Sequence, residues 1–423
     1  MLVLFLCSLF LLLFIGVPVA LAMLLSASFM LFKMDMFDTQ LIAENFVMGT
    51  NNFPLMAIPF FMLTGEIMKH GGISERIINF AMSIVGHIKG GLGYVVIISG
   101  LIFAGLSGSA VADTAALGAI LIPMMAARKY DISRSTGLIC AAGIISVVIP
   151  PSIPMIIYGI TAGTSITKLF MGGAVPGLLM VIGLWAVWKF LYRNETSSVK
   201  EKQSTQQRWL AFKKAFLPLL LPVIIIVGLR GGIFTPTEAG VVAAIYAAII
   251  SVLYKELNIN KIQEIFLNTI KTTSMVMFVA AAAMISAFAI TVAQIPMELV
   301  EFLKGVTNNP TILMLILMLF LLLVGCVMDL IPAVLIFVPV ILPLLRAYHI
   351  DPTYFGIMMV INLSIGLITP PIGTVLYVGS GISKLGIGSI SKGILPFLLV
   401  YIAILLLMVF FPNIVIVPMN WLS

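Results

Sequence analysis

The chain has 423 residues, of which 61% are hydrophobic and 9% are charged, and its formal net charge is +7. This composition, with a mean hydropathy of +1.20, excludes a sizeable soluble domain and indicates a polytopic membrane protein in a lipid bilayer. The positive charge does not indicate nucleic-acid binding, because the basic residues flank apolar segments as topology signals do. The first apolar stretch has no basic region before it, so we expect retained spans rather than a cleaved signal peptide.

Apolar runs of about 20 residues, long enough to cross a ~30 Å hydrocarbon core as helix, recur along the chain. We predict spans at 2–15, 17–33, 53–70, 134–165, 170–192, 210–229, 238–255, 273–294, 354–383 and 393–416. Segments 91–127 and 310–346 are too long for one span and contain polar or glycine-rich interruptions, which indicates re-entrant hairpins. The mixed segments 38–50 and 258–271 are typical of interfacial arms.

The two halves of the chain, on either side of a polar linker at 193–209, are related by an internal repeat. Four of the five prolines between residues 105 and 176 fall on prolines when the sequence is shifted by 220 residues. The same shift places Gly105 on Gly325 and Asp131 on Asp351. Shared prolines are informative in so apolar a chain, so we predict a two-fold repeat.

The distribution of charge predicts that the repeats are inverted. With the linker inside and a hairpin in each half, only five of the 23 basic residues lie outside, and both termini lie outside. These five are Lys33, Lys168, Arg230, Lys304 and Arg346. The positive-inside rule favours this topology.

We therefore predict an all-α membrane protein of two inverted-topology repeats, each with a re-entrant hairpin and a broken transmembrane helix. The predicted units are the scaffold and arms of repeat 1 at 1–90, hairpin 1 and broken helix 1 at 91–165, a last helix at 166–192, a cytoplasmic linker at 193–209, the scaffold and arms of repeat 2 at 210–306, hairpin 2 and broken helix 2 at 310–383, and a last helix and C-terminus at 384–423.

Each broken helix has a Pro-Pro pair in the middle of an apolar segment, at 150–151 and 370–371. Proline lacks an N–H and clashes with the carbonyl four residues earlier, which frees the carbonyls of Ser146, Val147, Gly366 and Leu367. Exposed backbone at membrane depth is tolerated where it lines a cavity or holds a ligand. Broken helices at matching positions of inverted repeats predict a transporter's midplane site, with carbonyls for a cation and helix N-termini for an anion.

The hairpins carry two carboxyl groups within apolar segments. In "FAGLSGSAVADTAALG" (103–118), Asp113 is either a functional group or a helix N-cap. Asp329, which the repeat aligns with Ser109, has no neighbouring capping residues, so we predict a functional role for it. Glu238 follows "TPT" at the start of a span and is predicted to cap a helix.

The segments "GLSGSAVADTAALGAILIPMM", "IPPSIPMIIYG" and "GLITPPIGTVLYVGSG" resemble the large membrane subunit of tripartite ATP-independent periplasmic (TRAP) transporters. The resemblance covers essentially the whole chain. It implies an elevator-type secondary transporter of the bacterial inner membrane, driven by Na⁺. It also implies a separate small four-helix membrane subunit, a soluble periplasmic substrate-binding protein, and a carboxylate substrate such as sialic acid, another sugar acid or a C4-dicarboxylate.

The resemblance also implies Na⁺ ligands. In the first repeat these are Ser107 with the backbone of Ser146, Ile149 and Pro151, beside Gly105. The shift by 220 residues gives a second set, which is Val327, Gly366, Thr369 and Pro371, beside Gly325. Val327 stands where the first repeat has Ser107, so only its backbone could serve as a Na⁺ ligand.

No arginine lies at mid-depth in this reading, so hydroxyls and backbone N–H groups must bind the substrate carboxylate. The candidate substrate-binding residues are Ser109, Ser152, Asp329, Thr374 and Ser380. The sequence does not identify the substrate, although sialic acid is the first expectation from the resemblance.

Other functions fit less well. The "GLSG" at 105–108 matches a rhomboid-type protease motif, but none of the three histidines is predicted at mid-span to activate the serine. A channel would not need two hairpins and an inverted repeat. A stand-alone Na⁺-coupled carboxylate symporter or a Na⁺/H⁺ antiporter stays open, since Asp329 could be its titratable carboxylate.

Overall fold

The first half of the chain folds into ten α-helices in this computed structural model, which describes residues 1–193 and 203–422. They are α1 (Leu2–Phe14), α2 (Val19–Lys33), α3 (Thr39–Met48), α4 (Ala57–His70), α5 (Ile73–Val85), α6 (Gly91–Ser107), α7 (Ala110–Ala127), α8 (Ile132–Gly143), α9 (Ile153–Ala162) and α10 (Ile166–Leu191). Short 3₁₀ turns precede α4 at Phe53–Met56 and follow α8 at Ile144–Val147.

The second half contributes ten more α-helices. They are α11 (Thr205–Arg230), α12 (Pro236–Leu253), α13 (Ile259–Val292), α14 (Ile295–Val306), α15 (Pro310–Gly325), α16 (Leu330–Ala347), α17 (Pro352–Gly366), α18 (Thr374–Ser383), α19 (Ile387–Phe410) and α20 (Asn413–Leu422). Much of the predicted linker 193–209 lies outside the described residues, and α11 begins within it at Thr205.

The offset of 220 residues relates the helices as well as the sequence. Helix α7 maps onto α16 residue for residue, and α6, α8, α9 and α10 map onto α15, α17, α18 and α19 within a few residues. Isolated residues with positive φ also match, as Asp35 maps onto Lys255 and Lys129 onto His349. Because few non-glycine residues adopt positive φ, these pairs show that the repeat extends to the backbone path.

Seven helices in the described ranges are long and apolar enough to cross a membrane, or eight if the pair Thr39–Met48 and Phe53–His70, bent by 58°, counts as one span. The shorter apolar helices have 10–17 residues and include one helix of each hairpin and the helices of both broken pairs. Their lengths fit elements that end at mid-depth rather than at the far surface.

Each predicted hairpin is a pair of helices joined by a short tip, at residues 108–109 between α6 and α7 and at residues 326–329 between α15 and α16. Each predicted broken helix is interrupted at its Pro-Pro pair, between α8 and α9 and between α17 and α18. The Pro150–Pro151 and Pro370–Pro371 peptide bonds are both cis. We call residues 148–152 the first crossing and residues 367–373 the second crossing.

The two repeats interlock through their half-helices. Helix α9 of repeat 1 packs against α16 of hairpin 2, and α18 of repeat 2 packs against α7 of hairpin 1. Helix α8 packs closely along α19, where the Tyr401 hydroxyl donates to the Ala141 carbonyl at 2.8 Å. The hairpins and broken helices therefore form one packed unit in which each repeat completes the other.

Two predictions about helices are wrong. The predicted arm 258–271 and span 273–294 form the single 34-residue helix α13. In repeat 1 the equivalent segment is broken by "GTNNFP" (49–54), whereas repeat 2 has "TIKTTS" (269–274), which contains no helix breaker. Sequence reasoning also missed α5, α14 and α20, which have 13, 12 and 10 residues and are therefore too short to be recognised as spans.

The close contact between α8 and α19 generates a stability prediction. A Cβ added at Gly393 would overlap the backbone of Ser133. We expect Gly393→Ala to destabilise the protein by about 1–3 kcal/mol, because overpacking forces the backbones apart. Gly388→Ala on the same helix is the matched control, as its Cβ would meet nothing within 4 Å. Thermal unfolding in detergent measures both variants, and equal melting temperatures would refute the prediction.

Candidate functional site

The tip of hairpin 1 rests on the first crossing. Helix α6 ends at Ser107, and Gly108 turns the chain with φ +62°. A Cβ at Gly108 would lie 2.7 Å from the Pro151 carbonyl oxygen, so only glycine fits both the turn and the close approach. Ser109 then caps α7, its hydroxyl accepting from the Ala112 N–H at 3.4 Å.

Asp113 lies immediately behind this tip and is buried, with 4% of its surface exposed. The Ser107 hydroxyl donates to its Oδ1 at 2.6 Å, and Ser146 lies beside the same carboxyl group. No donor among the described residues reaches Oδ2, and the buried Thr114 hydroxyl next to it in sequence is also unpartnered there. The reading of Asp113 as an N-cap is wrong, because Ser109 takes that position and leaves the carboxyl group for another partner.

The first crossing is closed around its own backbone. Residues 141–159 are all buried. The Ser152 hydroxyl donates to the Val147 carbonyl at 2.5 Å and accepts from the Met155 N–H at 3.3 Å, so it caps α9 and satisfies one of the freed carbonyls. Ser146 donates to the Gly143 carbonyl at 2.7 Å, and Ile149 packs against Gly177.

The second crossing also satisfies carbonyls that its prolines free. The Gly366 carbonyl accepts from the Thr369 N–H at 3.0 Å, and the Leu367 carbonyl accepts from the Val375 N–H at 3.1 Å. With Val147, three of the four freed carbonyls accept hydrogen bonds, so the expectation of bare carbonyls is too simple. A carbonyl oxygen has two lone pairs, and each of these groups keeps one for a cation.

The tip of hairpin 2 is held close to the second crossing by glycine. A Cβ at Gly366 would lie 2.5–2.8 Å from the backbone of Gly325, so the hairpin and the broken helix touch backbone to backbone. Val327 is half-buried at this tip. Asp329 occupies the N-cap position of α16, although the sequence indicated no cap there. Its side chain nevertheless makes no capping hydrogen bond, and the residue is exposed.

The two crossings differ in access. Pro370, Pro371 and Ile372 are exposed at the second crossing, whereas the equivalent residues of the first are buried. Gly373 precedes α18 without a side-chain cap, and the buried Thr374 hydroxyl atom finds no partner among the described residues. The second crossing is therefore exposed at its prolines, and α18 begins there without a side-chain cap, with the Thr374 hydroxyl unpartnered among the described residues.

One of the predicted site residues makes its contact away from the tips. The Ser380 hydroxyl donates to the Leu385 carbonyl at 2.6 Å, at the opposite end of α18. A Cβ at Gly105 would lie 2.8 Å from Pro222 and 3.9 Å from the Pro150 carbonyl oxygen, so this glycine allows α6 to pack against α11 beside the first crossing. Outside the site, Glu238 forms a capping box with Thr235, as predicted.

The comparisons with known proteins show the family to which the chain belongs. The family described as the DctM component of the tripartite ATP-independent periplasmic transporter matches residues 6–414. The chain belongs to this family. It is thus a large permease subunit of the TRAP type and a multi-pass protein of the bacterial inner membrane.

Three relatives are similar to the chain over nearly their whole lengths. A putative TRAP transporter large permease protein of Haemophilus influenzae is 82% identical over 95% of this chain and 100% of its own length. The 2,3-diketo-L-gulonate TRAP transporter large permease protein of Escherichia coli is 47% identical (97% and 96%). The sialic acid TRAP transporter large permease protein of Vibrio cholerae is 38% identical (95% and 94%).

The fold is shared more widely than the sequence. The YdaH transporter of Alcanivorax borkumensis, a crystal structure with an unusual topology, matches 88% of this TRAP permease and 87% of its own chain. The TM-score is 0.58 at 15% sequence identity, so the likeness concerns the fold alone.

The capping role of Ser152 generates a prediction. Ser152→Ala removes the cap of α9 and leaves the Val147 carbonyl and the Met155 N–H without their partner inside the protein. We expect a loss of about 0.5–2 kcal/mol of stability. Ser165→Ala removes an exposed cap of α10 and should cost less, because water replaces its bond. Thermal unfolding of both variants tests this, and a larger loss in Ser165→Ala would contradict it.

Proposed function

We propose that this TRAP permease is the membrane subunit of a Na⁺-driven secondary transporter that imports a small organic acid delivered by a periplasmic binding protein. The observation that carries the Na⁺ coupling is the carboxyl group of Asp113, which is buried and has one oxygen without a donor among the described residues. A buried carboxylate is costly unless a cation or donors compensate it.

Oxygen atoms dominate the surroundings of Asp113, which favours a hard cation. The hydroxyls of Ser107 and Ser146 lie at or near this carboxyl group, and the crossing adds backbone carbonyls. No group of three or more His, Cys, Asp or Glu side chains with metal-binding geometry occurs in the described parts of the chain. A set of hydroxyl, carbonyl and carboxylate oxygens suits an alkali or alkaline-earth ion better than a soft transition metal. We therefore add Asp113 to the first Na⁺ site predicted from Ser107, Ser146, Ile149 and Pro151.

We place a second Na⁺ at the equivalent position of repeat 2. Its supporting features are the backbone approach between Gly325 and Gly366 and the second lone pairs of the Gly366 and Leu367 carbonyls. Val327 could offer only its carbonyl. Two coupled Na⁺ on a monovalent acid would make transport electrogenic.

The open second crossing is the proposed substrate site. The Thr374 hydroxyl, which has no partner among the described residues, provides a donor for a carboxylate, and the dipole of α18, which has no side-chain cap, favours a negative charge at its start. Asp329 would repel a second carboxylate but accept hydrogen bonds from substrate hydroxyls, which favours a polyhydroxylated acid over a dicarboxylate. Ser109, at the tip of hairpin 1, is half-buried and could reach the same space.

Relatives with named substrates support an organic acid. Their names specify 2,3-diketo-L-gulonate, sialic acid and C4-dicarboxylates. The relative named for a sugar acid, 2,3-diketo-L-gulonate, is more similar to this chain than the sialic acid relative, at 47% against 38% identity. We therefore propose 2,3-diketo-L-gulonate as the first substrate to test and sialic acid as the second.

The interlocked packing supports an elevator mechanism. Segments 91–165 and 310–383 contain both hairpins and both crossings, and α9–α16 and α18–α7 contacts tie them together. We propose that these segments move as one body, so the site travels whole between the two sides of the membrane.

We propose two partners, a separate small four-helix membrane subunit and a soluble periplasmic binding protein. This chain covers only 63% of the isethionate TRAP transporter permease protein DctMQ, which is a longer chain. Helix α1 is 13 residues long, too short to cross ~30 Å unaided, and its Val3, Leu11 and Phe14 are exposed. We expect the small subunit to pack near this half of the scaffold.

A stand-alone Na⁺-coupled symporter or a Na⁺/H⁺ antiporter is the second candidate. The exposed Asp329 carboxyl group favours it, because a titratable carboxylate beside a crossing could carry protons. The two candidates differ in whether uptake needs a binding protein.

Ser107→Ala tests the first Na⁺ site. The change removes a hydroxyl ligand and the donor to Asp113 without adding bulk. We expect the Na⁺ concentration for half-maximal uptake in proteoliposomes to rise roughly two- to tenfold, the equivalent of one lost polar interaction. Ser99→Ala is the matched control, since Ser99 is buried on the same helix with an unpartnered hydroxyl. An unchanged Na⁺ requirement in Ser107→Ala would remove Ser107 from the site.

Reconstitution tests the whole proposal. Uptake of radiolabelled 2,3-diketo-L-gulonate or sialic acid is measured with this chain alone, with the small subunit, and with both partners, in Na⁺ and in choline buffers. We expect uptake only with both partners and Na⁺. Full uptake by the chain alone would favour the stand-alone candidate, and equal rates in choline would refute Na⁺ coupling.

A further inference from the structure

A basic pocket of about 700 Å³ lies where the scaffold joins hairpin 1, away from both crossings. Its walls are the loop between α5 and α6 and the last turns of α10. The side chains that matter for its chemistry are Lys89, Tyr94, Lys189, Phe190, Tyr192 and Arg193. On the topology predicted from the charge distribution, this pocket faces the inner leaflet of the membrane, at the level of the headgroups.

Three cations line the pocket, and no acidic side chain of residues 1–193 or 203–422 does. Lys89, Lys189 and Arg193 are exposed, and none of them makes an ion pair with a carboxylate of the described residues. Three like charges around one cavity repel each other unless an anion compensates them. The unbalanced charge thus points to an anionic ligand.

The internal repeat shows that the fold does not require these charges. A shift of 220 residues places Lys89 on Asn309, Lys189 on Val409 and Arg193 on Asn413. The equivalent position in repeat 2 is formed by α15 and α19, the counterparts of α6 and α10, and it has no cation at any of these three sites. The charges are specific to the inner side.

Aromatic rings form a rigid wall behind the cations. Tyr94 stacks on Trp185 with 4.3 Å between ring centroids, and Tyr192 stacks on Trp188 at 3.9 Å. The Trp188 indole N–H donates to the Gly90 carbonyl at 2.8 Å, which fixes the loop carrying Lys89 to α10. Such amphipathic rings are typical of the headgroup level of a membrane.

One wall of the pocket continues into the hydrocarbon region. The Phe190 side chain is 78% exposed beside Lys189 and suits contact with an acyl chain. A ligand with a negative head and an apolar tail matches a cationic surface that continues into an apolar one. Free phosphate would match only the cationic part.

We propose that this pocket binds the phosphate headgroup of an anionic phospholipid of the inner leaflet. The headgroup bridges Lys89 on the loop before hairpin 1 to Lys189 and Arg193 on α10, and one acyl chain lies along Phe190. Basic pockets on the cytoplasmic side of membrane helices bind such headgroups. The bound lipid holds the loop before hairpin 1 against α10.

Native mass spectrometry of the purified full-length chain tests the site. The probes are dioleoyl-phosphatidylglycerol, dioleoyl-phosphatidylcholine and inorganic phosphate, each added at the same concentration. We expect the wild type to retain phosphatidylglycerol and neither of the other two. The triple variant Lys89→Gln, Lys189→Gln and Arg193→Gln should bind phosphatidylglycerol about a hundredfold more weakly, from about fivefold for each basic residue near an anionic lipid.

The matched control removes three other exposed basic residues from the same predicted side of the membrane. It carries Lys213→Gln, Lys271→Gln and Lys392→Gln and should bind phosphatidylglycerol as the wild type does. Equal losses in both triple variants would overturn the proposal in favour of a diffuse charge effect. Equal retention of phosphatidylcholine by the wild type, or binding of phosphate alone, would also overturn it.

Single and charge-preserving variants keep the test decisive if the triple variant does not fold. Lys189→Gln alone should weaken phosphatidylglycerol binding about fivefold, and Lys189→Arg should restore it. Loss of binding in Lys189→Arg as great as in Lys189→Gln would contradict a role for the charge.

Discussion

Hydrocarbon cannot hydrogen-bond the peptide groups that a broken helix exposes. This constraint governs segments 91–165 and 310–383, which contain the hairpins and the broken helices. Each Pro-Pro pair interrupts a helix at mid-depth, so each crossing needs a cover. The hairpins provide it, because their tips are narrow enough to touch the crossings. Gly108 approaches Pro151 in one repeat, and Gly325 approaches Gly366 in the other. The small residues at the tips are therefore required by the prolines, although they lie far away in the sequence.

The same duplicated architecture has been used in two ways. At the first crossing the backbone is buried and Ser152 caps the following helix, while the adjacent carboxyl group of Asp113 lacks a donor for one oxygen among the described residues. At the second crossing the backbone is exposed and the helix start is uncapped. A closed site rich in oxygen suits a small dehydrated ion, whereas an open one suits a larger organic anion. The two halves share this geometry, and the differences in their side chains give the two crossings different access.

The architecture could be predicted from the sequence because proline and glycine constrain the backbone strongly and recur at a fixed offset. The hairpins and the crossings followed from that pattern, and the cap at Glu238 followed from the local capping sequence. The partners of Ser107 and Asp113 could not be predicted, since a hydrogen bond between residues six positions apart depends on the turn at Gly108. The satisfied carbonyls of Gly366 and Leu367 were missed for a similar reason. Their donors are N–H groups beyond the break, and the local chain path decides whether they reach.

Helix α13 and its counterpart in repeat 1 differ in stiffness. The 34 residues of α13 span about 51 Å without interruption, whereas α3 and α4 meet at a 58° bend across residues 49–52. A continuous helix of that length resists bending, while four irregular residues adjust their dihedrals easily. The two equivalent elements thus differ mechanically: α13 is a rigid helix, whereas the bend between α3 and α4 can act as a hinge. Bending of the framework should therefore concentrate at residues 49–52. In the predicted topology these residues lie on the outer side of the membrane, whereas α13 begins on the inner side.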